Sequence, residues 1–148
     1  MPGSPRLETI KTARVQELQT EVKAHSFVLG APTFIRIFKY EAVLEVWIKD
    51  RYSRQYSLFK TYPICEYSGG LGPKLEEGDG QSPEGFYTIT ADGMNPNSQY
   101  HLAMNIGYPN AYDLAYGRTG SYLMIHGGCK SSGCYAMTDP GIEEIYLL

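Results

Sequence analysis

The stretch Phe34-Ile35-Arg36-Ile37-Phe38-Lys39-Tyr40-Glu41-Ala42-Val43-Leu44-Glu45-Val46-Trp47-Ile48-Lys49 decides the fold class. Its first six residues are rich in β-branched and aromatic types. Leu44, Val46 and Ile48 then alternate with Glu45, Trp47 and Lys49, setting an apolar face against a mixed one. That is the period-2 pattern of a half-buried strand. Tyr40-Glu41-Ala42 is short enough to join the two runs as a hairpin. Arg51-Tyr52-Ser53-Arg54 reads as a turn and Gln55 to Ile64 as a third strand, so residues 33–66 are expected to form an antiparallel meander.

Upstream, the period is helical. Leu7, Ile10, Arg14, Leu18 and Val22 fall near one stripe between Leu7 and Ala24, and the stripe is thin and includes an arginine. This predicts a peripheral helix docked on the main body, ended by the break Gly30-Ala31-Pro32. Downstream, residues 68–85 carry glycine and proline throughout and read as a long irregular connection of the kind that often serves function. Strands are expected at Phe86–Thr90, Tyr100–Ile106 and Ser121–Ile125, with a second long loop at Gly107–Thr119. A final helix is expected with Asp139 as its N-cap, Pro140 at its first position and Ile142, Ile145 and Tyr146 at helical spacing. The expected fold class is mainly β within α+β: a β-rich core with a helix at each end.

A chain of 148 residues is a single domain's worth, and 43% hydrophobic with 20% charged residues describes a globular body. Thirteen basic against sixteen acidic residues give a net charge of −3, which argues against a nucleic-acid binder. Neither a membrane-length apolar run nor a signal segment is visible, and no Gly-Lys-Ser/Thr follows the glycine-rich runs to make a P-loop.

The chemistry-bearing residues gather late in the chain. There are three cysteines, an odd count. Cys65 ends an apolar strand and reads as a small core residue. Cys134 follows a glycine and is expected to open a helical turn, where unpaired N–H groups would favour a thiolate. His126 ends an apolar strand eight residues upstream, so a short Gly-rich return loop can bring imidazole and thiol within reach. The amides of Gly133 and Cys134 would then face a developing oxyanion. A structural histidine and an inert thiol are the plainer alternative. Zinc held by His101, His126, Cys129 and Cys134 is a third, disfavoured because no second Cys pair accompanies the first. No metal and no cofactor are therefore expected.

Ile125-His126-Gly127 followed by Ser132-Gly133-Cys134 resembles the signature of the YkuD-type L,D-transpeptidase family, thiol enzymes of peptidoglycan stem peptides. Tyr62-Pro63-Ile64-Cys65, residues 72–79 and Ser82-Pro83-Glu84-Gly85-Phe86-Tyr87 resemble its Gly-rich substrate-side loop. Asn95-Pro96-Asn97-Ser98, residues 105–113, Gly117-Arg118-Thr119-Gly120, residues 133–139 and residues 142–146 resemble the YafK-like branch. The resemblance covers residues 33–146. It implies a β-sandwich-like catalytic domain, with a helix following the catalytic cysteine. Residues 1–30 are then an N-terminal helical segment and residues 31–148 the catalytic domain. Chains of that branch continue well past Tyr146, so the domain is expected to be cut short at its C-terminus.

Carried over residue by residue, the resemblance makes Cys134 the nucleophile, His126 its base and the Gly127 carbonyl the group orienting the imidazole. Gly133 and Cys134 amides form the oxyanion hole, and Ser132, Arg118, Tyr112 and His101 are candidates for substrate contact. An ion pair with Asp113 is an equal alternative for Arg118, and packing at the sheet edge for Tyr112. The chain departs from the broad family in its short His-to-Cys spacing and in having Ser132 where His or Arg usually precedes Gly-Cys. The implied reaction is acyl transfer or hydrolysis at diaminopimelate, with peptidoglycan stem peptides and the Lys side chain of an outer-membrane lipoprotein as partners. A catalytically inactive peptidoglycan-binding module is the alternative. The implied location is the periplasm or cell envelope, where disulfides persist, so Cys65 and Cys129 are candidates to pair and leave Cys134 free.

Overall fold

A computed structural model describes residues 2–131 and 133–148. The expected meander is present as β1 (Thr33–Phe38), β2 (Val43–Lys49) and β3 (Tyr56–Tyr67), antiparallel throughout. On β2, Leu44, Val46 and Ile48 are buried and their neighbours are not, as the alternation requires. Four short strands complete a mixed seven-stranded sheet: β4 (Met94–Asn95), β5 (Ala103–Asn105), β6 (Met124–His126) and β7 (Tyr135–Met137), in the order β1-β2-β3-β7-β6-β5-β4.

β3 belongs to both halves of that sheet. Its first part pairs with β2, and Ile64, Glu66 and Tyr67 pair with β7. The halves fold over each other, so that Ile35 and Ile37 of β1 face Ile125 and Tyr135 across one groove. This is the sandwich-like α+β arrangement expected from the sequence. Within the second half, β6 and β7 run parallel, with Ile125 level with Tyr135 and His126 level with Ala136.

Among the described residues, three α-helices flank the sheet. α1 (Pro5–Ala24) is capped by Ser4, whose Oγ accepts from the Leu7 amide and donates to the Pro96 carbonyl. Leu7, Ile10, Leu18 and Val22 are buried in the common core. Arg14, anomalous in an apolar stripe, is explained by α3 (Asp139–Leu147): its guanidinium meets Glu143 at 2.9 Å and Glu144 at 3.1 Å. Thr138, rather than Asp139, caps α3. His25 packs edge-on against Phe59 at the end of α1.

Three expected elements differ. Residues 86–90 join no strand, because their β1-facing side opens onto a groove instead of a ladder. The strand expected from Tyr100 is confined to β5, since His101 adopts a left-handed backbone (φ 73°). The loop at 107–119 contains α2 (Ala111–Ala115), nucleated by a reciprocal capping box between Asn110 and Asp113.

Cys65 and Cys129 form a disulfide, and both are solvent-exposed, which corrects the reading of Cys65 as a core residue. The bond closes 64 residues of sequence and ties the end of β3 to the loop after β6. Chain entropy assigns a loop of that size about 4 kcal/mol. The double substitution Cys65→Ser/Cys129→Ser is therefore expected to lower unfolding free energy by roughly 2–4 kcal/mol, measured by denaturant titration. Under denaturing, non-reducing conditions the unsubstituted chain is expected to show one free thiol.

Candidate active site

The parallel pairing of β6 and β7 places His126 and Cys134 on one face. In a parallel ladder, level residues share a face, so the side chains of Met124 and His126 emerge beside those of Cys134 and Ala136. The alternate residues Ile125 and Tyr135 point to the groove under β1. Met124, His126 and Cys134 line a cleft of about 380 Å³. Asn95, Asn97, Ser98, Gln99 and Tyr100 form its far wall, and Ala103 and Tyr122 complete it.

His126 is 2% exposed. Its Nδ1 lies 2.6 Å from the carbonyl oxygen of Gly127, and because a carbonyl only accepts, Nδ1 carries the proton and Nε2 is left as the basic nitrogen. Gly127 is a glycine of necessity. A Cβ there would lie 2.8 Å from both Asp139 Oδ1 and the Tyr100 carbonyl, and 2.9 Å from Ile142. Asp139 in turn accepts from the Gly128 amide at 2.8 Å, so the start of α3 pins the turn that follows the histidine.

Cys134 is the free thiol, partly buried, and it precedes β7 rather than a helix. The expected helix dipole at the sulfur is therefore absent, because α3 begins only after β7 has been completed. Burial pushes the thiol pKa up, with the Met124 amide and the Lys74 ammonium pulling against it. The Met124 N–H donates to Sγ at 3.3 Å, and the thiol itself is directed at the Tyr122 carbonyl 3.8 Å away.

The backbone around Cys134 is gripped by three serines. Gly133 N–H donates to Ser68 Oγ at 2.6 Å and Cys134 N–H to Ser131 Oγ at 3.0 Å. Ser131 Oγ and the fully buried Ser82 Oγ donate to the Cys134 carbonyl at 2.5 and 2.9 Å. The two amides expected as oxyanion donors thus carry hydroxyl partners in this arrangement. The Glu66 carboxylate accepts from the Ser131 amide at 2.8 Å, so Cys65, Glu66 and Ser68 contact Cys129, Ser131 and Gly133 in turn.

The Gly-rich segment 68–85 packs beside this loop around two lysines. Lys39 Nζ, buried, donates to the carbonyls of Gly70, Gly72 and Ser82 and pairs with Glu84 at 3.2 Å. Lys74 meets Asp79 at 2.6 Å. Desolvation would raise the Asp79 carboxyl, but Lys74 and the amides of Leu75, Glu76 and Gln81 outweigh it and hold it well below the usual carboxylate range.

The remaining candidates lie elsewhere. His101 Nε2 meets Glu143 Oε1 at 2.8 Å, against α3. Arg118 pairs with the buried Asp113 at 2.7 Å and stacks beneath Tyr112 and Tyr116 at 5.3 and 5.7 Å, on the α2 side. Ser132 lies outside the described residues. Of the four residues considered for zinc, Cys129 is in the disulfide and His101 is paired with Glu143. Sequence reading missed Tyr100, Ser68, Ser82 and the Met124 amide. Nothing in a one-dimensional pattern marks a serine that will bond a loop 52 or more residues away.

Residues 33–148 match the family model YkuD, the L,D-transpeptidase catalytic domain. Over 119 residues the chain is 54% identical to the protein named "Putative L,D-transpeptidase YafK" in Escherichia coli K12 and to its O157:H7 counterpart, covering 80% of this chain and 48% of theirs. The chain thus spans about half the length of these relatives. Among solved structures it resembles the helical cell shape determining protein Pgp2 of Campylobacter jejuni, as the K307A mutant, at TM-score 0.65, with 24% identity over 97% of this chain and 52% of that one. Bd1075 of Bdellovibrio bacteriovorus aligns at TM-score 0.54, with 21% identity over 78% of this chain and 42% of that one. These two show the fold.

Because burial raises the thiol, the substitution His126→Gln is expected to leave a Cys134 that alkylates with iodoacetamide only at a midpoint above the ordinary thiol value of about 8.5. A pH series of alkylation rates, read by intact mass, checks this.

Proposed function

Since the chain belongs to the YkuD family of L,D-transpeptidase catalytic domains, we propose that it performs cysteine-dependent acyl transfer or hydrolysis on peptidoglycan stem peptides at diaminopimelate. The observation that carries the proposal is the placement of a free thiol and a buried, singly committed imidazole on one cleft face. Cys134 is the nucleophile. Nε2 of His126 takes its proton once the thiol turns from the Tyr122 carbonyl, and the Gly127 carbonyl holds the tautomer and stabilises the imidazolium. The Met124 amide is already aimed at sulfur and favours the thiolate.

Attack on the peptide carbonyl gives a tetrahedral oxyanion. Gly133 and Cys134 amides bind it after the Ser68 and Ser131 hydroxyls give way, an exchange of one oxygen acceptor for a charged one. His126 then protonates the leaving amine, and a thioester remains. Water as acceptor gives an amidase, releasing a lipoprotein's Lys from the stem peptide. An amine acceptor gives a crosslink. The YafK relatives are named as L,D-transpeptidases, which supports acyl-transfer chemistry at this site. In this reading the site acts at the cell envelope, and no described helix is long and apolar enough to cross a membrane.

A second reading, an inactive peptidoglycan-binding module, is favoured by the same serine bonds, since they occupy the amides that acyl transfer needs. Incubation with disaccharide-peptides bearing a Lys-linked lipoprotein peptide separates the two. Mass spectrometry is expected to show cleavage or exchange that Cys134→Ala lowers by at least about 10³-fold, as removal of a catalytic nucleophile does. Binding without turnover in the unsubstituted protein would establish the module instead.

A further inference from the structure

Tyr100 has no part in the proposed bond-making steps, yet its ring lies on the imidazole of His126, centroids 4.5 Å apart and planes inclined by 33°. The tyrosine is 47% exposed and the histidine 2%, so the phenol ring is what separates one imidazole face from solvent. Its backbone is fixed independently. Tyr100 N–H donates to Ser98 Oγ, Arg6 holds the Ser98 and His101 carbonyls at 2.8 and 2.7 Å, and Ser4 holds that of Pro96. A Cβ on Gly127 would lie 2.8 Å from the Tyr100 carbonyl, so the backbone of residue 100 runs close beside the glycine whose carbonyl engages Nδ1.

We infer that Tyr100 is a positioning residue: its ring face holds His126 in line with Cys134 and stabilises the imidazolium that forms when the thiol proton is taken up. The inference rests on the Cys134–His126 reading above. A cation against an aromatic face in a desolvated setting is stabilised by the ring quadrupole, and the effect depends on the ring rather than the hydroxyl. Among the described residues lining the cleft, the other ionisable groups are Cys134 and Tyr122, and Asp139 of α3 has its Oδ1 engaged by the Gly128 amide beside Gly127. β5 contributes the uncharged Ala103, and His101 is turned away toward Glu143. The proton balance is simple: one proton passes from Sγ to Nε2, leaving thiolate and imidazolium, and returns to the leaving amine.

The test is the pH profile of Cys134 alkylation by iodoacetamide in Tyr100→Phe, Tyr100→Leu and Tyr100→Trp, each checked for folding by thermal unfolding. Tyr100→Phe is expected to stay within about twofold of the unsubstituted protein, because the ring is kept. Tyr100→Leu is expected to alkylate roughly five- to tenfold more slowly at neutral pH, with the midpoint moved up by about one pH unit. Tyr100→Trp is expected to match or exceed Tyr100→Phe, so that the ranking of the two aromatic variants decides the matter even if Tyr100→Leu fails to fold. In a His126→Gln background the leucine substitution is expected to add nothing. The inference is overturned if Tyr100→Leu behaves like the unsubstituted protein, if Tyr100→Phe is as slow as Tyr100→Leu, if Trp ranks below Phe, or if the leucine effect persists without His126. Insensitivity of the unsubstituted protein's alkylation to His126→Gln would instead bring down the Cys–His reading, and this inference with it.

Discussion

The parallel pairing of β6 with β7 across only the eight residues 127–134 is the constraint on which the site depends. Parallel neighbours are ordinarily joined by a crossover of a dozen residues or more. A shorter return must double back tightly, and left-handed backbone at Gly128 (φ 79°), Cys129 (φ 56°) and Gly133 (φ 92°) achieves this. Cys129 is the one residue of the three with a side chain to strain, and it is the one held covalently, through Cys65. The tight return sets His126 at the end of one strand and Cys134 at the start of the next, on the same face.

Everything else near the cleft braces that return. β3 runs on past its partner β2 so that Cys65, Glu66 and Ser68 reach alternate residues of the loop. α3 contributes Asp139 to the Gly128 amide, and α1 holds the 96–101 segment that carries Tyr100. α1 and α3 are themselves joined by Arg14 against Glu143 and Glu144. The terminal helices therefore brace the two walls of one cleft.

The fold was legible where one period dominated. Leu44, Val46 and Ile48 alternate cleanly and are buried, and Leu7, Ile10, Leu18 and Val22 keep a helical stripe. It was least legible between residues 86 and 126, where strands of two or three residues are too short to carry a period and α2 is set by a capping box rather than by apolar spacing. The site divides in the same way. His126, Gly127 and Cys134 are close in sequence, and the structure sets the histidine and the cysteine in the lining of one cleft. His101 and Arg118 are claimed by partners outside the cleft: Glu143, 42 residues along the chain, for the histidine, and Asp113, five residues back and already an alternative in the sequence, for the arginine. Tyr100 and Ser82 could not have been found this way, because what matters about each is a neighbour 26 or 52 residues away.

The resting site combines features that oppose each other. Burial raises the Cys134 thiol and hydroxyls occupy the Gly133 and Cys134 amides, both of which oppose the proposed reaction. The Met124 amide, the Lys74 charge and an imidazole with its Nδ1 already committed favour it. These do not cancel, because they act at different moments. A neutral hydroxyl is a weaker acceptor than an oxyanion, so the serine bonds yield only when charge develops on a substrate oxygen. A protonated, buried thiol likewise resists solution oxidants while keeping its base beside it. Under the proposed function, the arrangement suits a nucleophile that rests as a partly buried thiol.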